Sequence, residues 1–89
     1  MDISRFRTSG HEIIDWVADY LETIEGRPVR ARVAPGEIAS RLPLEPPRDG
    51  ESMDVIFNDF KSLILPGITH WQHPNWHAYF PANNSPESI

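Results

Sequence analysis

The sequence predicts an all-α segment: two main helices joined by an extended, proline-rich connector and followed by an aromatic loop. Three observations carry that prediction. Apolar residues recur at three- and four-residue spacings over about residues 4–25 and again over 52–65, with polar residues between them. Prolines and glycines crowd the intervening stretch, 26–51, and dissolve any period. After residue 65, Trp71, Trp76, Tyr79 and Phe80 sit among histidines and prolines in a pattern that fits neither a helix nor an alternating strand.

In the first helix, Phe6, Ile13, Ile14, Val17, Tyr20, Leu21 and Ile24 form the apolar stripe. Asp2 or Ser4 can accept from the free amides at its start, Gly26 offers a left-handed stop, and Pro28 prevents continuation. About six turns, roughly 33 Å, is long for so short a chain. Trp16 falls off the stripe, which predicts a second apolar contact.

The connector carries Pro28, Pro35, Gly36, Pro43, Pro46, Pro47 and Gly50. Proline removes backbone donors and fixes φ, so an extended path is expected, broken by one helical turn that starts at Pro35 and carries Ile38 and Leu42. A stretch of this kind is uncommon inside a compact domain and is expected to lie against something else. The second helix begins at a Ser52 cap, gathers Met53, Ile56, Phe57, Phe60, Leu63 and Ile64 on one face, and stops at Pro66-Gly67. Ser85-Pro86-Glu87 is a further helix start close to Ile89, so the sequence is expected to be the front of a longer protein.

Composition narrows the function classes. Eight basic and thirteen acidic residues give a formal charge of −5, and Arg27, Arg30, Arg32, Arg41 and Arg48 are scattered among prolines. No nucleic-acid or anionic-membrane surface is expected from that distribution. The absence of cysteine rules out a disulfide framework and a thiolate metal site. No apolar run approaches the roughly 20 residues of a membrane span, and the chain reads as cytoplasmic.

Four chemical readings are disfavoured by the residues themselves. His70, His73 and His77 have spacings that suit a metal ion, but Pro74 breaks the helical geometry and no carboxylate is near, which favours hydrogen-bonding histidines. The serines lie outside any Gly-x-Ser-x-Gly elbow, and no glycine-rich loop exists to cradle a phosphate. Lys61, the only lysine, falls on the polar face of the second helix and reads as a solvated charge. The cluster Trp71, Trp76, Tyr79 and Phe80 leaves two readings open: a core under a loop, or one wall of a pocket for a planar apolar group.

The run Pro66-Gly67-Ile68-Thr69-His70-Trp71, then His73-Pro74, then Ala78-Tyr79-Phe80-Pro81, resembles the group II pyridoxal-phosphate-dependent decarboxylases, most closely the aromatic-L-amino-acid decarboxylases. Phe6-Arg7 with Gly10, the helix through Asp15 and Tyr20, Ile24-Glu25-Gly26-Arg27-Pro28-Val29 and Val33-Ala34-Pro35-Gly36 carry the same resemblance, in order and over essentially the whole chain.

The resemblance implies an N-terminal appendage of a fold-type-I α/β enzyme that uses pyridoxal 5'-phosphate to remove the α-carboxylate of an aromatic L-amino acid. Residues 1–65 would be a helical dimerisation strap, intertwined with the partner of a homodimer, that buries Phe6, Ile13, Val17, Leu21, Ile56, Phe57 and Phe60 between chains. Residues 66–89 would be the substrate-pocket loop and the start of a truncated helix. Trp71, Tyr79, Phe80, Pro81 and Ala82 are the implied substrate-binding residues. Ala82 stands where some relatives have threonine, which leaves only backbone contact there, and His77 replaces a more usual aromatic residue. The cofactor's lysine and other ligands are expected downstream, so this segment alone is expected to be inactive. The competing reading is a freestanding helical interaction module without catalysis.

Overall fold

The structure, a computed structural model, describes residues 1–79 and 84–89. Its first element, α1 (Ile3–Thr23), starts at Asp2, whose carboxylate accepts from the Arg5 amide at 2.7 Å. The expected left-handed stop at Gly26 does not form. α1 instead tightens into a 3₁₀ turn, Ile24–Gly26, with the Arg27 amide bonded to the Ile24 carbonyl. Pro28 explains the exit, because a residue before proline is pushed out of the helical region, and Arg27 is extended at φ −96° and ψ 150°. Gly36 is the glycine with positive φ among the described residues, at 81°, where it opens the short helix α2 (Glu37–Arg41).

The second main helix begins as expected, with the Ser52 hydroxyl accepting from the Val55 amide, but it is not regular to residue 65. α3 (Met53–Asp59) widens into a π turn, Phe60–Ile64, and then narrows into a 3₁₀ turn, Leu65–Gly67. Pro66 has no amide with which to continue an α ladder, so the last turns are free to change pitch. The wide turn lets Leu65 rotate inward, where it is buried.

Trp16 joins the two main helices. Its ring stacks on Tyr20 at 5.4 Å and meets the edges of Phe57 at 5.8 Å and Phe60 at 5.4 Å. The residue off the apolar stripe is therefore the hub of the core, and Phe57 and Phe60 are engaged within the chain. The outer stripe of α1 remains uncovered: Ile3, Phe6 and Ile14 are exposed, Phe6 by 65%. An ion pair at 2.7 Å between Arg5 and Asp54 also ties the start of α1 to the start of α3. Both groups are solvated, so it adds at most about 1 kcal/mol.

The overall form is elongated. The chain measures 41 × 35 × 21 Å with a radius of gyration of 15.5 Å, where a globule of 89 residues would have about 12 Å. Its accessible surface is 7330 Å², against about 5,300 Å² for a globule of this size. No helix among the described residues is long and apolar enough to cross a membrane.

Candidate functional site

After Gly67 the chain turns extended at Ile68 and enters the aromatic loop. The His70 amide donates to the Val29 carbonyl at 2.9 Å, which fastens the start of the loop to the connector. The His73 amide then donates to the His70 carbonyl and the Trp76 amide to the His73 carbonyl, both at 3.0 Å. These consecutive turns bring the aromatic residues of the loop onto one side. Trp71 stacks on Trp76 at 5.1 Å with 23° between planes, and on Tyr79 at 5.6 Å with 16°.

Tyr79 reaches that position through an uncommon backbone conformation, φ 62°, in the left-handed region that costs a tyrosine about 1–3 kcal/mol. Trp71 is 44% and Tyr79 74% exposed, so the stack presents open ring surface. The Trp76 indole N–H is buried without an acceptor among the described residues.

Two histidines under the loop complete the arrangement. His73 is buried and its ring is fully bonded: Nδ1 accepts from the Asn75 amide at 3.0 Å, and Nε2–H donates to the Glu25 carbonyl at 3.3 Å. His70 is 4% exposed, and its Nδ1 lies 2.6 Å from the Tyr20 hydroxyl. Burial pushes His70 below its ordinary pKa, helped by the positive charge of Arg27 and by His73. Burial also raises Tyr20, with Arg27 opposing the rise. Both shifts keep the pair neutral, so the phenol donates to an imidazole that carries its hydrogen on Nε2. The Arg27 guanidinium stands 5.2 Å from the centre of the Tyr20 ring.

Of the residues expected to bind substrate, Trp71 and Tyr79 are brought together, while Phe80, Pro81 and Ala82 lie outside the described residues. Trp76 belongs to the stack although it was not among them. Tyr20 and Arg27 were also missed as supports; the available signal was Tyr20 on the same face of α1 as Trp16. The histidine triad does not assemble: His70 and His73 have the bonds just described, His77 is exposed, and the described residues contain no group of three metal-ligating side chains.

Residues 35–89 match the family described as the pyridoxal-dependent decarboxylase conserved domain. The chain is 47% identical over 85 residues to 4-hydroxyphenylacetaldehyde synthase of Rhodiola rosea, covering 96% of this chain and 17% of that protein. It is 47% identical over 89 residues to histidine decarboxylase of Drosophila melanogaster, covering all of this chain and 10% of the relative. The crystal structure of Oryza sativa TDC with PLP and tryptamine superposes with a TM-score of 0.85 at 34% identity, covering 97% of this chain and 18% of that one. The segment thus spans less than a fifth of each of these relatives and has the fold of one part of a larger enzyme. With the match reaching past half its length and its helices superposing on those of a PLP-bound relative, the chain belongs to the pyridoxal-dependent decarboxylase family.

Proposed function

We propose that the full-length protein removes the α-carboxylate of an aromatic L-amino acid with pyridoxal 5'-phosphate, and that this segment supplies one wall of the substrate pocket and contacts between subunits. The observation that carries the proposal is the exposed stack of Trp71, Trp76 and Tyr79 on a loop anchored from below. Flat, fixed rings recognise a flat substrate ring at little entropic cost, and they leave the reacting carboxylate to be oriented by the rest of the active site. Residues 66–89 carry the pocket part of the proposal, with Trp71, Tyr79, Phe80, Pro81 and Ala82 as its substrate-binding residues. The names of the relatives span tyrosine, DOPA, tryptophan and histidine, which supports an aromatic or heteroaromatic substrate without choosing among them.

The cofactor belongs elsewhere in the enzyme. Lys61, the sole lysine, is exposed and stands 4.6 Å from the centre of the Phe57 ring, so the described residues do not fit a pyridoxal phosphate site. The subunit role is assigned to residues 1–65, as a strap across the partner of a homodimer, and the uncovered stripe through Ile3, Phe6 and Ile14 supports it. A cytoplasmic setting fits the cysteine-free composition.

The test is decarboxylation of tyrosine, dihydroxyphenylalanine and tryptophan by the full-length protein, with cofactor absorbance measured in parallel. Tyr79→Ala and Phe80→Ala are each expected to lower kcat/KM about 5- to 150-fold while the cofactor stays bound. Tyr79→Phe separates ring from hydroxyl: a small loss means that the ring packs, and a large one means that the hydroxyl bonds substrate. Loss of cofactor with unchanged substrate preference would make the cluster ordinary core and end the pocket assignment.

A further inference from the structure

His70 is held from three sides by three different parts of the chain. Its amide donates to Val29 of the connector, its carbonyl accepts from His73 of the loop, and its Nδ1 accepts from Tyr20 of α1. The next residue is Trp71, the ring shared by both close stacks of the wall. A displacement of His70 therefore moves the backbone from which Trp71 projects. Of the three ties, the side-chain bond to Tyr20 is the one that reaches the rigid helix, and at 2.6 Å it is short for a neutral pair.

We propose that Tyr20 and His70 are the positioning pair of the aromatic wall, a hydrogen-bonded latch between α1 and the loop that sets where Trp71 stands and hence how well a substrate ring is held. The proposal rests on the reading of the stack as a substrate wall. Neither residue touches substrate in it; both act through Trp71.

The chemistry of the latch makes it sensitive to acid. A proton on Nδ1 removes the acceptor and leaves the Tyr20 hydrogen without the partner it has among the described residues. It also adds a positive charge where others already gather. Tyr20 faces His70 from α1, His73 from the loop, and Arg27 from the connector, while Arg32 and Lys61 line the same cleft of about 320 Å³. Among the described residues no carboxylate lines that cleft to compensate. The latch is accordingly strongest above the ordinary histidine range and weakens as the pH falls below it, because the bond can then run only from Nδ1–H to the phenol oxygen, which leaves the Tyr20 hydrogen unpaired and a new charge beside Arg27.

The experiment compares the full-length holoenzyme with Tyr20→Phe and His70→Asn. Tyr20→Phe deletes only the hydroxyl, and is expected to lower kcat/KM for an aromatic substrate about two- to tenfold, mainly through KM, with cofactor absorbance unchanged. Asn offers a carbonyl oxygen near the place of Nδ1 and does not titrate. His70→Asn is therefore expected to keep most neutral-pH activity and to lose the part of the acid limb of kcat/KM that His70 causes. Wild-type kinetics in Tyr20→Phe, a kcat or cofactor defect in place of a KM defect, or an acid limb in His70→Asn that superposes on the wild type's would each overturn the latch.

Thermal unfolding of Tyr20→Phe, His70→Ala and the double variant, each of which removes the bond, reads the pair without turnover, with non-additive shifts expected and additive ones counting against it. Trp71→Ala keeps the two readings apart. If Trp71→Ala leaves kcat/KM unchanged, the wall itself is wrong; if Trp71→Ala is impaired and Tyr20→Phe is not, the wall stands and the latch falls.

Discussion

A Cβ placed on Gly67 would lie 2.9 Å from Cγ1 and 3.2 Å from Cδ1 of Ile38, closer than side chains pack. Gly67→Ala must displace Ile38, and with it the seat of α2 against the π turn that follows α3. The expected cost is about 1–3 kcal/mol, seen as a lower urea midpoint of the full-length protein. Gly36→Ala meets no neighbour, but at φ 81° it carries backbone strain alone, and about 1 kcal/mol is expected by the same measurement. His70 contributes a pH-dependent share of stability. Its folded pKa lies below the ordinary 6.5, so the unfolded chain binds the extra proton first. That share is complete above about pH 6.5 and is lost as the pH falls towards and through the folded value. Urea midpoints that decline less steeply with acid in His70→Asn than in wild type would verify the sign. Little of this was legible in advance: a tyrosine at φ 62° is not written in the letters around Tyr79, and the left-handed glycine proved to be Gly36 and not Gly26.

The two main helices illustrate why some elements could be read from the chain and others only in part. α1 was legible to within a residue or two, because its period runs unbroken from a capping aspartate to a proline-driven exit. α3 was legible in position but not in pitch, since apolar spacing marks a face without fixing the turn, and the π turn buries Leu65, which lies off the expected stripe. Trp16 was recognisable as an exception to the stripe but its partners Phe57 and Phe60 were not, because residue spacing cannot say which of two apolar faces packs inside the chain. Trp16→Ala removes that junction and is expected to cost about 3 kcal/mol, measured by denaturation of the full-length protein. Phe6→Asp addresses the other face. It is already exposed here, so the expected outcome is dissociation or loss of activity of the assembled enzyme without loss of helicity, measured by sedimentation and circular dichroism.

At the scale of the whole segment, the buried apolar residues among those described are Ile24 and Leu65, a core from which independent folding is not expected. The 89 residues expressed alone are expected to melt broadly and to self-associate; a sharp transition with a monomeric sedimentation profile would contradict this. Their extended outline and uncovered helix stripe support the proposed strap role. The closeness of the rings has an optical consequence. Indoles 5.1 Å apart, with a phenol ring 5.6 Å from one of them, share their electronic excitations, so the loop should produce an exciton couplet in the far-ultraviolet dichroism that disappears when the stack opens. The protein thus contains its own chromophore for the state of the loop, one that reports on the geometry of the wall without a label, a substrate or a cofactor.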